Sequence, residues 1–182
     1  MASVVFLKGV NVGGHRTFRP SVLASKLARL GVVNVGAAGT FVVRKSISQA
    51  KLRLELGRHL PFETETMICS GKDILELAST APFEPSGPDV TRFISILAKR
   101  PRSLAAFPLS LPAGEDWLVK IVAVRGRFAF GQYRRDLRTI GFLNKLENHL
   151  GGSITSRSWN TFSSLFDILK TQGKSGTTEI RD

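Results

Sequence analysis

Residues 4–14 read V-V-F-L-K-G-V-N-V-G-G, an apolar run that passes directly into glycines. That pattern fits a buried strand feeding a flexible connection. Lys8 interrupts the run near the strand end, where a charged side chain either snorkels to a rim or faces a polar cleft. Asn11 stands between the strand end and the paired Gly13 and Gly14. Its amide has two uses there: holding the turn through backbone bonds, or facing a ligand.

Length and charge bound the rest. With 182 residues and 42% hydrophobic content, the chain can build one core or two small, intimately packed halves. No apolar run approaches the roughly 18 residues of a membrane span, and no signal-peptide pattern opens the chain, so a cytoplasmic protein without membrane association is expected. Cys69 is the single cysteine, which excludes an internal disulfide and a cysteine zinc site. The net charge of +12 attracts polyanions without naming one. It is unevenly spread: Lys8 to Arg58 holds ten basic residues against Glu55 alone, and Pro61 to Val90 holds six acids against Lys72.

Along the chain, Pro20 suits the first position of a helix whose Leu23, Leu27 and Leu30 share a face, with Gly31 as its stop. A strand is expected within 33–43, where Gly39 marks a bulge or a close backbone approach. Ser46 is the expected cap of a helix with Ile47, Ala50, Leu54 and Leu60 as its apolar stripe and Lys51–Glu55 as an i, i+4 pair. After Pro61, the alternation in F-E-T-E-T-M-I-C predicts a strand with Glu63 and Glu65 on its outer face, and Ser70 introduces a short helix. Pro82, Pro85, Gly87 and Pro88 mark a boundary. Beyond it, V-T-R-F-I-S-I-L-A reads as a central strand covered on both faces. The proline-spaced 99–114, with Leu104, Phe107 and Leu109, reads as a crossover with one irregular or helical turn. Two strands follow, at 117–124 and 127–133, in a hairpin. A helix through Ile140, Leu143, Leu146 and Leu150 ends at Gly151, a short edge strand begins near Ile154, and Asn160 caps a last helix carrying Phe162, Leu165, Phe166 and Leu169.

This alternation predicts an α/β or α+β sandwich, with two related ferredoxin-like subdomains as one form and a doubly wound single sheet as the structural runner-up. The expected organisation is an N-terminal α/β subdomain at 1–85, a C-terminal ferredoxin-like subdomain at 89–170 and a flexible tail at 171–182.

The chemistry-bearing motifs are sparse. The glycines Gly9, Gly13 and Gly14 do not form G-x-G-x-x-G or a P-loop, although an anion can meet free amides in such a turn, with Lys8, His15 or Arg16 beside it. His15, His59 and His149 have no metal-ligand spacing, so no metal or cofactor is expected. Cys69 fits packing better than catalysis, having no histidine and carboxylate partner in the pattern. Cations recur near element ends at Lys8, Arg44, Lys45, Arg134, Arg135, Arg138 and Arg157, and Tyr133 and Trp159 offer stacking surfaces for unpaired bases.

F-L-K-G-V-N-V-G-G at residues 6–14 resembles the L-R-G-I-N-V-G-G opening of the bacterial domain-of-unknown-function family 1697. Gly9, Asn11, Gly13 and Gly14 match that opening, and Lys8 stands in place of arginine. R-S-W-N-T at 157–161 resembles the family's late R-N-W-N-T, matching at Arg157, Trp159, Asn160 and Thr161. Where family members often carry S-G-N-V-V-F, this chain has A-G-T-F-V-V, so Gly39 is kept while Ala38 and Thr40 replace a serine hydroxyl and an asparagine amide. The resemblance implies an α+β protein of two ferredoxin-like subdomains and supplies no activity.

The expected function is therefore binding of nucleic acid or another polyanion. The expected site set is Lys8, Asn11, Gly13, Gly14, His15, Arg44, Tyr133, Arg134, Arg157, Trp159 and Asn160, and a monomer is the default. The alternatives are an enzyme acting on a phosphorylated small molecule, bound at the glycine turn with Lys8, Asn11 and Arg157 but with no assignable base or nucleophile, and a protein-interaction module exposing Phe107 and Leu109. A basic groove beside Tyr133 and Trp159 would mark the first, a closed polar pocket at Lys8 and Asn11 the second, and a dry exposed patch the third.

Overall fold

A computed structural model of the chain describes residues 1–103 and 106–174. In order, its elements are β1 (Ser3–Leu7), α1 (Pro20–Lys26), a 3-10 turn (Ala28–Leu30), β2 (Val32–Asn34), β3 (Thr40–Val43), α2 (Gln49–His59), β4 (Thr66–Ser70) and α3 (Gly71–Thr80). Then follow β5 (Val90–Leu97), β6 (Leu109–Leu111), β7 (Val119–Arg125), β8 (Phe128–Arg134), α4 (Thr139–Leu143), α5 (Leu146–Leu150), β9 (Ile154–Ser158) and α6 (Trp159–Lys174). The fold is α+β with two separate antiparallel sheets, which replaces the doubly wound single sheet. By its internal contacts the chain divides into two units, Met1–Thr80 with the chain from Asn160 onward, and Ala81–Trp159. Residues 160–170, assigned from the sequence to the second half, thus fall with the first. No described helix is long and apolar enough to cross a membrane.

In the first unit the sheet order is β2-β3-β1-β4. Val4, Val5, Phe6 and Leu7 on β1 are all 0% exposed, which requires cover on both faces because successive side chains alternate. On one face Val5, Leu7, Phe41 and Ile68 pack with Leu23 of α1, Leu27 just after it, and Leu52 and Leu56 of α2. On the other, Phe6 stacks on Phe162 of α6, with ring centroids 5.9 Å apart. The close approach expected at Gly39 is present: its φ is +74°, its carbonyl accepts from Leu7 N at 2.8 Å, and a Cβ there would lie 2.6 Å from Val10 Cγ2.

The second sheet runs β6-β7-β8-β5-β9, with β5 central as the sequence predicts. Without edge strand β6, its strands repeat the second-third-first-fourth order of the first sheet. Phe93 on β5 pairs directly with Gly131 on β8, and a Cβ at Gly131 would meet the Phe93 ring at 2.2 Å. The ring thus lies across a bare stretch of backbone, and Leu146 and Leu150 complete the core over it.

Several local expectations are corrected. The stretch 33–43 is a hairpin, not one strand. The cap of α2 is Ser48, whose Oγ accepts from Lys51 N at 3.3 Å, rather than Ser46. With that frame Leu52 and Leu56 point inward, and Leu54 is 63% exposed. Glu55 pairs with Arg29 and, at 3.2 Å, with Arg58 rather than with Lys51. The bond from Arg29 is the main reason that its carboxyl titrates below the ordinary carboxylate range. β4 begins at Thr66, so Glu63 and Glu65 precede it. The crossover contains the short strand β6. The single helix expected through 140–150 is two helices, and Ile140 is 65% exposed because the break at Asn144–Lys145 re-phases the apolar side chains. α6 starts at Trp159, so Asn160 lies inside its first turn and is not the cap. By contrast Pro20 and Ser70 take their expected places, the last accepting from Asp73 N at 3.0 Å, while Gly31 ends the 3-10 turn because α1 itself stops at Lys26. Leu104 and the tail from 175 lie outside the described residues.

Replacing Gly131 with alanine is expected to destabilise the chain by about 1–3 kcal/mol through overpacking. Urea unfolding checks this, and adding Phe93→Leu is expected to restore part of the loss by clearing the ring edge.

Candidate functional site

The glycine turn after β1 is an exposed two-residue hairpin. Gly13 and Gly14 both have positive φ, at +57° and +77°, the requirement of a type I′ turn. His15 N donates to Val12 O at 3.0 Å and Asn11 N to Arg16 O at 3.2 Å. Asn11 itself has φ +55°, and both ends of its amide are engaged: Nδ2 donates to Ala37 O at 2.8 Å and Oδ1 accepts from Phe18 N at 2.9 Å. The side chain fastens the turn to the β2–β3 connection and to the entry of α1. Of its two sequence readings, turn-holding is the one with geometry behind it. Lys8 N and the amides of Asn11 and His15 all donate to backbone carbonyls, so they are not an anion cradle.

Lys8 borders an open groove of about 980 Å³ that also meets Gly9, Arg16, Arg53, Glu63 and Glu65. Its ammonium lies 3.9 Å from Glu65, and Arg53 Nη1 donates to Thr66 O at 2.5 Å. Two carboxylates offset most of the positive charge in this groove, and Asn11 does not line it. It differs from the closed polar pocket expected of a metabolite enzyme. His15 is exposed on the hairpin. Arg44 is exposed just beyond β3, at the end of the sheet where Ser3 pairs with Val43. One strand length, about 15 Å, separates it from the glycine turn. Thr40 is fully buried in β3, opposite Phe6.

In the second unit the two proposed stacking aromatics are packing groups. Tyr133 is half-buried against Phe93, with centroids 6.0 Å apart. Trp159 meets Phe83 edge-on at 5.2 Å, and Phe83 in turn meets Phe130. Tyr133 and Phe130 stand three apart on β8 and so on opposite sheet faces, which leaves no single groove beside Tyr133 and Trp159. Arg157 on β9 is 7% exposed, and its Nη1 donates to Thr155 Oγ1 and Ser156 O, both at 2.8 Å. Burial pushes its guanidinium down to about 10, still charged at neutral pH. Arg134 lies over the Trp117 ring at 4.3 Å, and Lys120 approaches the same ring at 4.3 Å. Arg134 also donates to Glu115 O at 3.1 Å, so it closes over the indole. Asp136 accepts from the Arg138 side chain at 2.8 and 2.9 Å and from its N–H, and these bonds, the side-chain ones first, hold its carboxyl at about 2.

A cation cluster outside the predicted set forms where β5 ends and the β7–β8 hairpin turns. The first segment carries Lys99, Arg100 and Arg102, and the second carries Arg125 and Arg127 about Gly126, with no acid in either. Leu97 N donates to Arg127 O at 2.8 Å and Arg127 Nε donates back to Leu97 O at 2.8 Å. These two bonds fasten the segments side by side. The Arg100 guanidinium lies 3.9 Å from where a Gly126 Cβ would stand, and φ +60° at Gly126 gives the tight turn. Lys99, Arg100, Arg102 and Arg125 are exposed. The sequence signal for this cluster was present in K-R-P-R and R-G-R, two acid-free basic runs. Their adjacency depends on the antiparallel pairing of β5 with β8.

The family model described as "Protein of unknown function (DUF1697)" matches residues 1–116 and so stops short of the R-S-W-N-T motif. No curated protein matches the chain. The structure of the conserved bacterial protein SP0830 from Streptococcus pneumoniae superposes with a TM-score of 0.55 at 18% identity, over 92% of this chain and 98% of that one, which shows a shared fold.

Asn11→Ala is expected to lower stability by about 1–3 kcal/mol and to speed hydrogen exchange at Phe18 N–H, because two bonds and a tolerated positive φ are lost together. Carboxyl NMR provides a second check. The Asp136 midpoint is expected near 2 and should move up toward the ordinary aspartate value in Arg138→Gln. Since the folded-state value is depressed, the stabilisation is present above about pH 4 and lost as pH falls toward the folded midpoint.

Proposed function

The chain belongs to the DUF1697 family, whose description assigns no activity, and we propose from the geometry of its second unit that it binds the phosphate backbone of nucleic acid. Lys99, Arg100, Arg102, Arg125 and Arg127 form the contact surface. The observation that carries this reading is the reciprocal pair of bonds between Leu97 and Arg127, which sets the two basic segments beside one another. Five cations within two adjacent turns give a local positive field that a solvated, scattered surplus would not. Arginine forks suit phosphate oxygens, and the flexible lysine adds charge without fixed geometry.

This reading moves the contact surface away from Tyr133 and Trp159, whose rings are engaged in packing, and makes backbone charge rather than base stacking the source of affinity. Binding is then expected to be sequence-tolerant and strongly salt-dependent. The strand order second-third-first-fourth in each unit supports reading the two as ferredoxin-like subdomains, the first with helices in both of its crossovers and the second with α4 and α5 before β9. The backbone amides of β5 and β8 would then provide the rigid platform from which the basic turns project.

The test is fluorescence anisotropy with labelled single-stranded and duplex RNA and DNA across a salt series, with polyphosphate as competitor. Arg100→Glu with Arg125→Glu is expected to weaken binding at least about tenfold and to reduce the log–log salt slope by about two, one per lost phosphate contact. Unchanged affinity and slope in that variant, or no binding by the native chain at low salt, would overturn the proposal. Competition by polyphosphate at equal charge would widen the ligand class from nucleic acid to polyanions in general.

A further inference from the structure

We infer that the first unit holds a separate site for a small organic anion, consisting of one oxyanion group on a short apolar body. The site is a cavity of about 750 Å³ bounded by the chain just after β3, the start of α3 and the last turn of α6. Small-molecule pockets span roughly 300–1,000 Å³, so the volume suits such a ligand.

The lining has one sign of charge. Among the described residues, Arg44 and Lys72 border the cavity and no acidic residue does. Among the described residues neither cation forms an ion pair. This contrasts with the Lys8 groove, where Glu63 and Glu65 share the wall. Arg44 is also pre-positioned: its backbone N donates to Gly31 O at 3.2 Å, and its Cβ lies 3.0 Å from the point a Gly31 Cβ would take. The stem is therefore seated against a backbone that has no side chain at that point, with the guanidinium beyond it.

A third donor gives an independent indication. Gln172 lines the same cavity, and its Nε2 is buried with no hydrogen-bond partner among the described residues. A buried amide hydrogen without an acceptor is destabilising, and an oxyanion in the cavity would satisfy it. Leu75 and Leu169 provide the apolar part of the wall. Arg44 can grip two oxygens in parallel, Lys72 adds a point charge and Gln172 a neutral N–H. Together these groups discriminate against cations and against neutral apolar molecules. A bare inorganic anion would leave the leucine wall wet.

The experiment is amide NMR on the full chain, titrated with hexyl phosphate, hexanoate and inorganic phosphate. Saturable shifts at Gly71, Lys72 and the Gln172 side-chain amide are expected with a hexyl probe. Inorganic phosphate should bind at least about tenfold more weakly, since it cannot use the apolar wall. The tighter hexyl probe tells phosphate from carboxylate. Arg44→Gln and Lys72→Gln should each weaken that probe about fivefold or more. Gln172→Leu should weaken it while raising the denaturation midpoint of the free chain, because the unsatisfied amide is removed. Arg100→Glu, in the nucleic-acid surface of the other unit, should leave probe binding unchanged, so the two proposals stand or fall separately. No shift at these amides up to about 10 mM probe, in the weakest range of measurable affinity, would overturn the inference. So would equal affinity for inorganic phosphate, or native-like binding by Arg44→Gln.

Discussion

The first unit depends on a strand that has nowhere to expose a side chain. β1 is hydrogen-bonded on both edges, to β3 and β4, and its four residues from Val4 to Leu7 are fully buried. Apolar cover on both faces is the only arrangement that keeps such a strand from water. α1 and α2 supply one cover and α6 the other, and the chain must leave β1 through a turn tight enough to stay out of both. Gly39 makes room beside Leu7 and Val10, and Asn11 fixes the turn from outside. The charged groups are displaced to the strand ends and beyond, where the candidate binding residues lie.

The second unit solves a similar problem with a different device. Its interior strand β5 carries Phe93, whose ring lies flat across β8 where any side chain on the opposite residue would collide with it. Gly131 carries none. The rigid β5–β8 pairing that results brings the end of β5 against the β7–β8 turn, so a packing solution in the sheet interior determines which surface cations become neighbours. Charge placement here is a consequence of register.

The sequence disclosed the elements whose signals are local. Pro20, Gly31 and Ser70 act through their own backbone or the next turn, and the β1 run and the β7–β8 hairpin signal themselves within a few residues. It misled where two frames compete. Ser46 and Ser48 are both competent caps, and only packing decides that Leu52 and Leu56 face inward while Leu54 stays wet. It also gave a single helical pattern across 140–150, which the chain breaks at Asn144–Lys145. Among the site residues, Asn11 was recognised with its two uses, and the choice between them depended on Ala37, far away in sequence. The types of Tyr133, Trp159 and Arg157 allow stacking and phosphate contact. Tyr133 and Trp159 are instead engaged by Phe93 and Phe83, which no spacing rule identifies, and Arg157 turns back on Thr155 and Ser156 of its own strand. The Lys99–Arg102 and Arg125–Arg127 runs are each too short to stand out in the sequence, and their significance comes from proximity.

The partition of the chain also has a kinetic meaning. Unit one begins at the N-terminus and is completed by α6, after the whole of residues 81–159 has intervened. On a ribosome, β1 emerges early, but the aromatic cover of Phe6 emerges only after residues 81–159, with Phe162. At roughly 5–20 residues per second, one face of a finished sheet stays bare for several seconds while the second unit is synthesised and can already fold. A nascent chain of this order carries an aggregation hazard while residues 81–159 are being made, and the emergence of α6 is the event that ends it.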